Sequence, residues 1–94
     1  MKKIINGKTI FITGGTGSFG TAMTNLLLKK YKPKKIIIFS RDELKQYEMK
    51  NSILPKYSKI MRFFIGDIRD LPRLKTAMRN VDYVIHAAAL KHVP

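Results

Sequence analysis

The 94 residues contain no cysteine, so no disulfide braces the fold, as is usual for proteins of a reducing compartment. Acid is scarce too: 6 Asp+Glu stand against 19 Lys+Arg, a formal charge of +13. The opening Met-Lys-Lys-Ile-Ile-Asn-Gly is charged but has no long apolar core, because Asn6, Gly7 and Lys8 interrupt it. No stretch approaches the ~20 apolar residues of a membrane span. These absences lead to the expectation of a soluble, cytoplasmic protein with no membrane partner. The basic residues are scattered and not interleaved with stacking aromatics, so no nucleic-acid partner is expected either. The excess charge favours anionic, phosphorylated ligands instead.

Catalytic signatures are missing as well. There is no metal-ligand spacing, no G-x-S-x-G elbow and no Walker lysine, since Thr21 follows Gly20. The residues four past Tyr47, Tyr57 and Tyr83 are Asn51, Met61 and Ala87, none of them lysine. The Tyr31–Lys35 pair does have Tyr-x-x-x-Lys spacing, but it falls on a Pro-containing turn. No catalytic residue and no metal ligand is therefore assigned.

What is present is four apolar runs at Thr9–Thr13, Lys35–Phe39, Met61–Ile65 and Tyr83–Ala87. Their lack of polar alternation suits strands buried on both faces of a parallel sheet. Helical patterns separate them. Phe19, Ala22, Met23, Leu26 and Leu27 fall on one face of a first helix that ends near Lys30, before Pro33. Ser40 and Glu43 form the S-x-x-E of a capping box opening a second helix, which Pro55 closes. Asp70 caps a third, with Pro72 in its first turn and Leu71, Leu74, Ala77 and Met78 facing inward. Right-handed crossovers then give spatial order 3-2-1-4. The expected fold is α/β: a Rossmann-type doubly wound parallel sheet, incomplete, with four strands and three helices. The chain stops at Pro94, just after its fourth strand, so residues 1–94 read as the amino-terminal half of a dinucleotide-binding domain.

The first strand runs directly into Gly14, Gly17 and Gly20. That layout gives a tight turn, close backbone approach to a pyrophosphate, and close helix–strand packing. Amides of the following helix would face the anion, aided by the helix dipole. The candidate cofactor contacts of this turn are Gly14, Thr16, Gly17, Ser18, Phe19 and Gly20.

About 20 residues further on, where such folds meet the adenosine ribose, stand Ser40, Arg41, Asp42 and Lys45. An acid here selects NAD, whereas a guanidinium with a nearby ammonium suits the 2′-phosphate of NADP. Arg41 tips the reading to NADP over NAD. Ser40 also reads as the helix cap. Asp42 serves either the ribose or the helix N-terminus. After the third strand, Asp67 is placed either to accept from adenine or simply to form a turn, with Ile68 against the ring. Ala87, Ala88 and Ala89 either let the cofactor lie on backbone or merely pack in the core. His86 reads as structural. Lys91 reads as a substrate-side contact or a solvated loop lysine.

Ser-Arg-Asp-Glu-Leu-Lys-Gln at 40–46, Met-Arg-Phe-Phe-Ile-Gly-Asp-Ile-Arg-Asp at 61–70 and Ala-Ala-Ala-Leu-Lys-His-Val-Pro at 87–94 carry a resemblance. With the glycine turn, they make the chain similar to the amino-terminal part of an extended short-chain dehydrogenase/reductase. Within that group it resembles the C5-inverting UDP-N-acetylglucosamine 4,6-dehydratases of bacterial polysaccharide and flagellin-sugar biosynthesis. The resemblance implies an NADP enzyme that oxidises C4 of the sugar, eliminates water across C5–C6 and returns hydride to C6 with inversion at C5. It implies a nucleotide-sugar substrate, UDP-N-acetylglucosamine, and a homo-oligomer. By the resemblance, Gly14, Gly17 and Gly20 sit at the pyrophosphate and Arg41 and Lys45 at the 2′-phosphate. Asp67 and Ile68 sit at adenine, Ala87 and Ala88 under the cofactor, and Lys91 at the site entrance. The family's Tyr-x-x-x-Lys lies beyond Pro94, so residues 1–94 alone are expected to be inactive. Two alternatives stay open: the cofactor half of a UDP-sugar 4-epimerase or other extended reductase, and a non-enzymatic fragment that binds nucleotide or self-associates.

Overall fold

A computed structural model describes residues 2–87. Its strands β1 (Thr9–Thr13), β2 (Lys35–Ser40), β3 (Met61–Ile65) and β4 (Tyr83–His86) form one sheet in the order β3-β2-β1-β4. Every pairing is parallel, with Phe11 opposite Ile37 on one side and Val84 on the other. This is the Rossmann-type order expected from the sequence.

Alternation along the two central strands sorts their side chains into two cores. Ile10, Ile12, Ile36 and Ile38 face Leu27 and Leu28 of α2 (Ser18–Lys30) and Met49 of α3 (Glu43–Ser52). Phe11, Ile37 and Phe39 face Ala77 of α4 (Leu71–Ala77) on the opposite side. The rings of Phe11 and Phe39 sit 5.5 Å apart at a tilt of 36°. Both are fully buried, and truncating either to Ala would cost about 3–5 kcal/mol.

α2 ends where expected: the Tyr31 amide closes on Leu27 O at 3.1 Å, and Lys29 and Lys30 sit at the negative end of the dipole. α4 starts as expected too, with the Asp70 carboxylate accepting from the Arg73 amide at 3.2 Å and Pro72 in the first turn.

Several expectations are corrected. The inner face of α2 is Gly20, Thr24, Leu27 and Leu28, whereas Phe19, Ala22 and Leu26 are exposed. The reason is the close seat of Gly20 on the glycine turn, which rotates the helix so that this smaller stripe meets the sheet. α3 is capped by Asp42, whose carboxylate accepts from the Lys45 amide at 2.9 Å, and not by Ser40. β2 extends through Ser40, so the cap falls two residues later. Leu71 is exposed and does not face inward; Ala77 is the buried residue of α4. Only β1 and β2 are buried on both faces; β3 and β4 lie at the sheet edges and are largely open. A short α1 (Lys2–Ile5) and a 3-10 turn at Pro55–Ile60 were not expected. Each is too short to show a periodic pattern.

Candidate functional site

The carboxyl ends of β1, β2 and β3 open into one cleft of about 920 Å³. In an open parallel sheet ligands bind outside the carboxyl ends of the strands; this cleft lies on the β1-β2-β3 side of the point between β1 and β4 where strand order reverses.

One wall is the turn from β1 into α2. Gly14 has φ +65, a left-handed conformation that a side chain would strain. Its amide donates to Phe39 O at 2.9 Å, tying the turn to the end of β2. Gly17 is the N-cap of α2 and offers no side-chain cap. The first-turn amides therefore keep donors to spare, and no acidic residue in that turn offsets the positive end of the helix. Thr16 and Gly17 line the cleft. Gly20 does not: a Cβ there would lie 2.5 Å from Gly15 Cα, so its role is to let helix and turn touch. Ser18 and Phe19 are exposed on the outer side of the first turn and do not line the cleft.

The other walls are the ends of β2 and β3. Ser40, Arg41, Asp42 and Lys45 face Asp67 and Ile68 across the cleft. Asp67 is held by its neighbour: Arg69 Nη2 donates to Oδ2 at 2.7 Å, Arg69 Nε to Oδ1 at 3.1 Å, and the Arg69 amide to Oδ1 at 2.9 Å. These hydrogen bonds hold the Asp67 carboxyl well below the usual carboxylate range, with smaller help from the charges of Arg69 and Arg41. The same pairing raises Arg69. Arg41 Nη1 stands 3.6 Å from Asp67 Oδ2 with its side chain mostly in solvent. That contact is a loose ion pair, worth little and easily exchanged for a better anion. Asp42 spends its carboxylate on the α3 cap. Among the described residues Lys45 forms no ion pair. The net result is a rim of guanidinium and ammonium groups at the β2 end, facing the helix N-terminus across the cleft.

Ala87 is buried just after β4 and does not line the cleft. Ala88, Ala89 and Lys91 lie outside the described residues. His86 pairs with Thr13 Oγ1 across β4 and β1, a structural contact. Among the described residues no group of three His, Cys, Asp or Glu could hold a metal ion, and no helix is long and apolar enough to cross a membrane.

Four residues were missed. Gly66 is needed because a Cβ would meet Phe39 Cζ at 2.7 Å, and Gly15 because one would meet Ile38 Cγ2 at 2.9 Å. Arg69 is the main partner of Asp67, and its spacing two residues past an aspartate at a strand end was the available signal. Gln46 is buried with its amide bridging β2 and β3, and nothing in the local pattern marks it.

Comparison with known proteins adds the following. Residues 10–94 match the family described as "Polysaccharide biosynthesis protein". A UDP-N-acetylglucosamine 4,6-dehydratase (inverting) of Campylobacter jejuni strain 81-176 is 66% identical over 91 residues, which is 97% of this chain and 26% of that protein. A UDP-glucose 4-epimerase of Rickettsia akari is 52% identical over 91 residues, covering 93% of this chain and 26% of that protein. The crystal structure of Pen from Bacillus thuringiensis superposes with a TM-score of 0.82 at 41% identity, over 96% of this chain and 28% of that one. The chain thus spans about a quarter of the length of these relatives.

Proposed function

The chain belongs to the polysaccharide biosynthesis protein family, and from that premise we propose that it is the NADP-binding, amino-terminal part of a C5-inverting UDP-N-acetylglucosamine 4,6-dehydratase. The observation that carries the cofactor reading is the convergence of Ser40, Arg41 and Lys45 on a cleft whose opposite wall is the glycine turn at the α2 N-terminus. The residues fit a dinucleotide diphosphate. Gly14 makes the turn, Gly17 leaves backbone donors open, and Thr16 offers a hydroxyl beside them. Arg41 and Lys45 supply a planar fork and a point charge for a 2′-phosphate. Asp67, kept ionised by Arg69, accepts from the adenine amino group, and Ile68 covers the ring edge.

A bound nicotinamide would supply reversible hydride acceptance, so that the net change on the sugar would be loss of water. The chain's own part is to hold the cofactor's phosphates and adenosine end in place. The acid–base groups and the sugar-nucleotide site belong, in this reading, to the remaining length represented in the relatives. That division of labour makes residues 1–94 alone inactive.

The test is a titration of the full-length protein with NADP and NAD. Arg41→Asp should weaken NADP by about 30-fold or more, the scale of one lost charge-assisted pair plus a like-charge contact, while NAD changes less than about threefold. Equal losses for both would refute Arg41 as the 2′-phosphate contact. A 4-epimerase is the second reading, favoured by the Rickettsia akari relative. Mass analysis of the product from UDP-N-acetylglucosamine separates the two: a dehydratase product is lighter by one water, an epimerase product is not.

A further inference from the structure

Gln46 is a nearly buried polar residue on α3, 4% exposed, beside Ser40, which lines the cleft. Its Nε2 lies 2.7 Å from Phe64 O in β3 and 2.9 Å from Ser40 Oγ at the end of β2, with Ser40 O at 3.4 Å. A carbonyl oxygen only accepts, so the contact with Phe64 fixes which end of the amide is nitrogen. That nitrogen has two hydrogens. One serves Phe64 and the other serves the Ser40 hydroxyl, which therefore accepts and must send its own proton elsewhere. Among the described residues no group takes that proton, and Ser40 lines the cleft next to Arg41.

We propose that Gln46 is a positioning residue for the cofactor site: it locks the Ser40 hydroxyl as a hydrogen-bond donor to the 2′-phosphate of a dinucleotide. A phosphate oxygen only accepts, so a preset donor suits it. A ribose hydroxyl accepts or donates and gains little from the presetting. Gln46 thereby contributes to selection between two cofactors that differ by one phosphate, without touching either. The same amide staples the ends of β2 and β3, the two strand ends that present Arg41 and Asp67, next to the backbone bond from the Gly66 amide to Ser40 O at 2.9 Å. This inference rests on the reading of the cleft as a site for a 2′-phosphorylated dinucleotide.

The experiment measures NADP and NAD dissociation constants on the full-length protein and its Ser40→Ala, Gln46→Glu and double variants. In Gln46→Glu the carboxyl oxygen facing Ser40 accepts its proton and turns the donor away from the cleft at unchanged size, while Phe64 O loses its amide donor. NADP should weaken about tenfold, the scale of one hydrogen bond to a charged group, while NAD stays within about twofold. Ser40→Ala should give the same selective loss, and adding Gln46→Glu to it should change the NADP/NAD ratio no further. Equal losses for the two cofactors, or two selective losses that multiply, would leave Gln46 a plain structural residue and overturn the proposal. If Gln46→Glu does not fold, Gln46→Met removes both donors at similar volume, and the ratio should fall about threefold. An unchanged ratio in Ser40→Ala overturns the proposal whatever the Gln46 variants do. Arg41→Asp separates the two levels: if it is NADP-selective while Ser40→Ala is not, only the inference on Gln46 fails. If neither is selective, the cofactor reading fails with it.

Discussion

At the scale of single residues, Asp67 shows how a side chain's role is set by its neighbours. A surface aspartate in a turn would be unremarkable, but Arg69 grips both of its oxygens and donates a backbone amide as well. The folded carboxyl is thus depressed relative to an ordinary one. A depressed acid adds stability above its unfolded pKa of about 3.9, and that contribution is lost as pH falls through the lower folded value. Carbon-detected NMR titration should find Asp67 still ionised below the pH at which an ordinary aspartate is half protonated. In Arg69→Ala the Asp67 midpoint should rise towards the ordinary range, since the largest cause of its depression is gone. An unmoved midpoint would mean that Arg41 and the local backbone suffice. Three of the residues that escaped sequence reading share one property. Gln46 acts across the gap between the ends of β2 and β3, and Gly15 and Gly66 matter because of a side chain arriving from another strand. Linear spacing records none of these meetings.

At the scale of elements, the strands were legible because β-branched and aromatic runs are dense and bounded by turn residues. Their order followed from handedness alone. Helix faces and caps were less legible. The apolar stripe through Phe19, Ala22, Met23, Leu26 and Leu27 is richer in large apolar side chains than the one through Gly20, Thr24, Leu27 and Leu28, yet the second faces the sheet. Hydrophobicity proposes a face, but the close approach at Gly20 decides it. The α3 start likewise offered Ser40 and Asp42, and which one caps depended on how far β2 ran. The candidate cleft was legible as a wall of glycines and a wall of cations, though not in Gln46, whose amide ties the ends of β2 and β3. Two stability measurements separate the caps. Asp42→Ala should cost about 1 kcal/mol in urea denaturation with an unchanged slope. Ser40→Ala should leave α3 intact, because its hydroxyl bonds Gln46 and not a first-turn amide. If Ser40→Ala were the costlier change by frayed-helix signals in hydrogen exchange, the capping assignment would be reversed.

At the scale of the whole molecule, charge and exposed strand edges pull in opposite directions. Both β3 and β4 are edge strands among the described residues, but they differ in protection. β3 carries the exposed Arg62, whose guanidinium bonds Lys59 O and Met61 O along the edge. A cation in that position discourages another chain from pairing. β4 is Tyr-Val-Ile-His with Tyr83 and Val84 exposed, so nothing there repels a partner strand. Near α2, Phe19 and Leu26 leave further apolar surface uncovered. A chain of net charge +13 repels its copies over the Debye length, about 30 Å in 0.01 M salt but about 8 Å at 0.15 M. Repulsion should therefore win in dilute buffer, and edge pairing should win once salt screens it. Purified as residues 1–94, the chain should sediment as a monomer at low ionic strength and associate as salt is raised. That is the reverse of an assembly held by ion pairs. Val84→Lys, which places a cation on the open edge as Arg62 does on the other, should shift the onset of association to higher salt. The matching change Ile65→Lys, at an exposed position of the already guarded β3, should have no such effect on the onset, because that edge is not where copies meet. Association that weakens with salt, or that ignores Val84→Lys, would place the contact elsewhere on the molecule.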